Sequence, residues 1–320
     1  MKTFSKHGRE IEKPTVFIPG EYLGMGDCIF TTPVIKKLSE IFDQKVDVFT
    51  RFDKLFINNP YINELHKVDP VNFEQIRARF ATNPNFFEIA SFYTQKLKNK
   101  VFSVDLLDFF SIHCGFSLLP KEKNLLFFPD QYLQIPDLPK KYIILNPRIT
   151  GIDRDMGFEK WQRLADILCE NQIPVVTVGV NNEFHNIKVK FGRQLAGEDC
   201  QNNLSQTWHL MDKSFGFVTF DTGMYVFCST TNTNIFLIST YLEPYFHQSY
   251  RQGSKDYNHH TIEGECKEAC LSNMKYYVRE HAKLIQPVVQ QCQLDYPEFK
   301  CIPSVDVIAK KIIAEWEKDY

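Results

Sequence analysis

Apolar residues fall along this chain in short continuous runs and longer helical stripes, one kind following the other. "TVFIP" (15–19) is a continuous apolar run, the pattern of a strand buried on both faces. "TTPVIKKLSEIF" (31–42) repeats Val34, Ile35, Leu38, Ile41 and Phe42 at helical spacing. "KVDVFT" (45–50) then alternates as a strand does. Strand, helix and strand in that order are the unit of a parallel sheet. Residues 70–128 are rich in Phe, Asn and Lys, and within them "FEQIRARF" and "SVDLLDFFSIHCGF" read as helices.

"PDQYLQIPDLPKK" (129–141) has three prolines among polar residues and reads as a linker. The rhythm then restarts. "YIILNP" is a strand, and "GFEKWQRLADILCENQ" a helix with Trp161, Leu164, Ala165 and Leu168 on one face. "PVVTVGV", "FGFVTF" and "TNIFLIST" are strands, with a helix expected from Asp221. "SVDVIAKKIIAEWEKDY" closes as an amphipathic helix. The pattern predicts an α/β protein of two halves, 1–138 and 139–302, with a last helix in 303–320.

Composition narrows the function. The chain has 320 residues, 43% of them hydrophobic, enough for two cores. A net charge of −2 lacks the basic excess of a nucleic-acid binder. No run of about 18 apolar residues predicts a membrane span. "MKTFSKHGREIEKPT" has no apolar signal core, so a cytoplasmic location is expected. Peripheral contact at the inner membrane face remains open.

Ligands of open parallel sheets bind beyond the carboxyl ends of strands, where helix starts offer free amides. Three stretches fit. In "LGMGDCIFTTP" (23–33), Gly24 and Gly26 suit a tight turn, and Asp27 falls at or near a helix N-cap. In "FVTFDTGMYVFCST" (217–230), Asp221, Thr222, Gly223 and Met224 open a helix after a strand. "LNPRITGIDRDMGFEKW" (145–161) is a polar loop with Arg148 and Arg154, either able to neutralise a phosphate. Each stretch alone reads equally as an ordinary cap or a solvated loop.

Taken together and in this order, they resemble glycosyltransferase family nine, the bacterial heptosyltransferases of lipopolysaccharide synthesis. The carriers are "GMGDCIFTTPVIKKL" (24–38), "VDVFTRFDKLFINNPYINEL" (46–65), residues 142–168, and the Leu-Ala-Gly to Asp-Thr-Gly block at 195–239. The resemblance implies a GT-B fold: two Rossmann-like domains with parallel sheets facing a central cleft. It implies that the acceptor binds mainly to the first domain and a nucleotide-sugar donor to the second, with the last helix crossing back to the first. The implied reaction is inverting sugar transfer without a catalytic metal. Asp27 takes the family's general-base position, and a helix start favours its ionised form. Thr222, Gly223 and Met224 face the leaving diphosphate. Arg154 stands where the family has a phosphate-binding lysine, and Glu183 where it holds the ribose. ADP-heptose is the family's default donor, and the acceptor is a glycan, a lipid-linked glycan or a protein.

The chain also departs from the family pattern. Tyr225 and Val226 follow "DTGM" where the family has a small residue and a histidine, and "RDMGFEKW" replaces its Lys-x-Trp-Pro cluster. A nucleotide- or glycan-binding module without catalysis is therefore a competing reading, and a nucleotide-sugar epimerase a third.

Of nine cysteines, Cys266, Cys270, Cys292 and Cys301 crowd near the C-terminus. Four thiolates suit a structural zinc or iron site. Family-like enzymes that glycosylate autotransporters carry a comparable cluster that binds iron. Unpaired thiols or disulfides fit the same spacing. His259, His260 and His281 are substitute ligands or surface residues.

Overall fold

The computed structural model describes residues 13–19, 24–89, 106–131, 135, 137–147, 156–178, 187–194, 203–239, 259–264 and 302–318. They form two compact units, divided between Phe128 and Pro129.

The first unit is built on β1 (Thr15–Ile18), β2 (Val46–Thr50), β3 (Ile62–Lys67) and β4 (Phe86–Glu88). All pair in parallel, in the order β3-β2-β1-β4. The apolar run of β1 is buried throughout, as a central strand covered on both faces must be. Its helices are α1 (Met25–Ile29), α2 (Thr32–Phe42), α3 (Phe73–Phe80) and α4 (Leu106–His113). Pro33 lies in the first turn of α2, where its missing N–H costs no helical bond. Asp43, left-handed at φ 49°, ends that helix. Val34, Ile35 and Leu38 are buried as their spacing predicts, but Ile41 is 52% exposed because it faces out from the last turn.

α3 lies on an aromatic layer. Phe17 meets Phe73 edge-on at 5.5 Å, and Phe80 stacks on Phe86 at 5.3 Å. Arg77 of α3 donates to the Glu88 carboxylate from Nε at 2.9 Å and Nη2 at 2.7 Å, which fixes the helix to β4.

The chain leaves this unit earlier than the expected boundary at 138. The Phe128 carbonyl accepts from Asn58 Nδ2 at 3.4 Å, within the first unit. The Asp130 N–H donates to Ser205 Oγ at 2.9 Å, and its carbonyl is 2.8 Å from His209 Nε2, within the second. The proline-rich stretch therefore begins as a bonded edge of the second unit.

The second unit has β5 (Ile143–Leu145), β6 (Val175–Thr177), β7 (Gly192–Gln194), β8 (Gly216–Phe220), β9 (Asn234–Ser239) and β10 (His259–Glu263). They pair in parallel, in the order β10-β9-β8-β5-β6-β7. Counted within each unit, both sheets begin 3-2-1-4, the doubly wound order of nucleotide-binding folds. The helices are α5 (Phe158–Glu170), α6 (Leu204–Lys213), α7 (Gly223–Cys228) and α8 (Val305–Glu317). Trp161, Leu164 and Leu168 of α5 join Ile143, Leu145, Val218 and Phe220 in one core. Alternating residues serve the other face. There the Tyr142 hydroxyl donates to the Leu210 carbonyl of α6 at 2.8 Å.

The last helix was expected to cross to the first half. In the second unit, Ile308, Ala309, Ile312 and Trp316 of that helix enter the core of α5. Trp316 meets Phe215 edge-on at 5.0 Å, and Lys141 Nζ lies 4.2 Å from the Trp316 ring centre and 4.6 Å from that of Phe215. α8 lies against α5 and the edge strand β10. Among the described residues no helix is long and apolar enough to cross a membrane.

Two tests follow from α8. Trp316→Ala should destabilise the second unit by about 3–5 kcal/mol in denaturant unfolding, through lost burial and ring contacts. The Glu315 carboxyl is held at about 2, first by its bond from Lys318 and then by Lys311, with the His260 charge adding to them. Its pKa is lower folded than the ordinary 4.5, so its stabilisation is present above pH 4.5 and lost as pH falls toward 2. Glu315→Gln should flatten the acid limb of the stability profile over that window.

Candidate functional site

In doubly wound sheets the helices change sides between the first and fourth strands in chain order, and ligands bind beyond the carboxyl ends of that strand pair. In the first unit that pair is β1 and β4, and α1 follows β1. Gly24 caps α1, and Asp27 is its third residue rather than its N-cap. Asp27 Oδ2 accepts the Gly24 N–H at 2.8 Å, satisfying a donor that a helix start leaves unpaired.

Gly24 lies at φ −79° and ψ 178°, a conformation open to any residue. A Cβ there would stand an ordinary 3.8 Å from Asp27 Oδ2. The conformation of Gly24 itself therefore does not require a glycine. Gly26 is buried inside the first turn of α1. Beside it, burial pushes the Cys28 thiol well above its usual range; the Asp27 charge adds to this and Arg51 opposes it. Cys28 is fully buried and packs in the core.

In the second unit the pair is β5 and β8. Asp221 follows the buried end of β8, and Thr222 is the N-cap of α7, its Oγ1 accepting from the Tyr225 N–H at 3.3 Å. Gly223 and Met224 open that helix, as expected. Under this turn lies a residue that sequence reasoning missed. Asn146, just past β5, is 2% exposed. Its Nδ2 donates to Thr219 Oγ1 at 3.2 Å, and its N–H to the Val218 carbonyl at 3.1 Å. The signal was an asparagine ending an otherwise apolar run.

Asp27, Gly24 and Gly26 thus gather at α1, and Asp221, Thr222, Gly223 and Met224 at α7. Arg148, Arg154, Glu183, His281 and the four cysteines Cys266, Cys270, Cys292 and Cys301 lie outside the described residues. His259 and His260 sit partly buried in β10, where the His260 ring stacks on Phe236 at 4.9 Å. Among the described residues no group of three or more His, Cys, Asp or Glu is placed to hold a metal. Cys28, Cys114, Cys169 and Cys228 are buried free thiols, and burial lifts that of Cys114 to about 12.

No family model matches the sequence, and no curated protein does. Solved structures do. A glycosyl transferase family 9 protein of Veillonella parvula aligns with a TM-score of 0.57 and 13% identity, over 83% of this chain and 92% of its own. The Escherichia coli ADP-heptose lipopolysaccharide heptosyltransferase II aligns at 0.55 and 16%, over 78% and 90%. The iron-containing dodecameric heptosyltransferase TibC of enterotoxigenic E. coli, in complex with ADP-D-β-D-heptose, aligns at 0.56 and 11%, over 79% and 63%. The resemblance read from the motifs therefore holds for the fold: this chain is an α/β protein of the GT-B type.

The cap geometry separates the structural role of Asp27 from any chemical one. Asp27→Asn keeps an oxygen for the Gly24 N–H and should leave the thermal midpoint unchanged. Asp27→Leu removes the acceptor and should cost about 1 kcal/mol in denaturant unfolding.

Proposed function

We propose that the chain is an inverting glycosyltransferase that moves a sugar from a nucleotide diphosphate sugar to an acceptor hydroxyl. What carries the reading is one observation. The family-like motifs of the two halves stand at the same topological place, beyond the carboxyl end of a switch-point strand, in a GT-B fold.

On this reading Asp27 accepts the hydroxyl proton as the oxygen attacks the anomeric carbon. The bond from that carbon to the diphosphate breaks on the opposite face, so configuration inverts. The Thr222 hydroxyl and the Gly223 and Met224 amides meet the charge growing on the leaving group. Asp221 shapes their turn, Arg154 neutralises the diphosphate, and Glu183 holds the ribose. No step needs a metal. Cys266, Cys270, Cys292 and Cys301 are assigned a structural iron or zinc, to be checked by metal analysis of reduced protein. ADP-heptose is the first donor to test, with glycan, lipid-linked and protein acceptors, in an enzyme working at the cytoplasmic side.

A catalytically silent nucleotide- or glycan-binding module is the second reading. It is favoured by the commitment of Asp27 Oδ2 to the Gly24 N–H and by Tyr225 standing where the family has a small residue. Assays with ADP-, GDP- and UDP-sugars separate the two, since a binder saturates without turnover. An epimerase would convert the donor with no acceptor present. For the transferase, Asp27→Asn should cut turnover by about 10²- to 10⁴-fold and leave nucleotide affinity unchanged. Turnover of that variant at the wild-type rate would remove Asp27 from the mechanism.

A further inference from the structure

The β5–β8 seam ends in a polar pair within an apolar layer. The register pairs Leu145 with Val218, so the next residues, Asn146 and Thr219, stand opposite each other. Thr219 is 0% exposed and Asn146 is 2%. A Leu–Val pair would fill this space without the cost of dehydrating an amide and a hydroxyl. The polar pair therefore asks for a role beyond packing.

Its bonds lead outward. The Asn146 amide donates to Thr219 Oγ1 at 3.2 Å, and the Thr219 hydroxyl donates to the Phe220 carbonyl at 3.1 Å. Thr219 Oγ1 lies 3.5 Å from Thr222 Oγ1, which accepts the Tyr225 N–H at 3.3 Å. The proton of Thr219 is thus taken by Phe220. The Thr222 proton has only a contact at the outer limit of hydrogen bonding to turn inward to.

We propose that Asn146 and Thr219 are positioning residues for the donor diphosphate. They hold the Phe220–Thr222 turn so that the Thr222 hydroxyl presents its proton to a phosphate oxygen. The inference rests on the reading that Asp221–Met224 binds the donor. It goes beyond the cap of α7, which needs Thr222 alone.

Calorimetric titration of the full chain tests it. The probes are whichever of ADP, GDP and UDP binds, and the matching nucleoside. Thr219→Val and Asn146→Leu should each weaken the nucleotide by about tenfold and leave the nucleoside unchanged. Thr219→Ser restores the hydroxyl and should restore affinity. Each of the two deletions leaves a buried partner unpaired and is liable to misfold. The double variant Asn146→Leu/Thr219→Val removes both polar groups, keeps the shape, and should show the same selective loss. A folded double variant with wild-type nucleotide affinity overturns this inference alone, as does an equal loss for nucleotide and nucleoside. Wild-type protein that binds none of the three nucleotides overturns the functional reading and this inference with it.

Discussion

A parallel sheet wound outward in both directions from its middle has one place its helices cannot cover. Helices leave the two central strands toward opposite faces, and in folds of this kind ligands bind at that switch. In this chain the strand order puts the switch at β1–β4 in one unit and at β5–β8 in the other. Among the described residues, Asp27 stands just beyond the first and Asp221–Met224 just beyond the second. α3 covers one face of the first sheet with an aromatic layer of Phe17, Phe73, Phe80 and Phe86.

Polar groups at the two places are held by short-range bonds to the backbone. Asp27 binds the amide three residues before it, and Thr222 the amide three residues after it. Each bond fixes a side chain that would otherwise sample several rotamers, and each completes a helix start. Structure and chemistry therefore draw on the same atoms. This is why single residues there serve as ordinary caps and as candidate functional groups at once.

The sequence showed the strands and long helices well, because burial on both faces writes a continuous apolar run and burial on one face a helical stripe. β1, α2, α5, β8 and α8 were all legible in this way. Ile41 shows the limit, since periodicity selects a face but not where the face leaves the core. The partner of α8 was not legible: an amphipathic stripe records that a helix must be covered and not by what. Asn146 escaped for another reason. Its meaning depends on Thr219 lying opposite in a register between strands far apart in sequence. At Gly24 the conformation is one any residue adopts, since a glycine permits an unusual backbone and does not require one.

The seating of α8 ties the end of the second unit to its beginning. Lys141, just before the unit's first strand, lies against Trp316 in its last helix. A ribosome makes those residues in that order, so the contacts of α5 with Ile308, Ile312 and Trp316 form only after about 150 further residues have followed α5. The described strands and α-helices of the first unit are all made by His113. The two units therefore differ in when their described elements are complete along the chain, the first by His113 and the second only with α8.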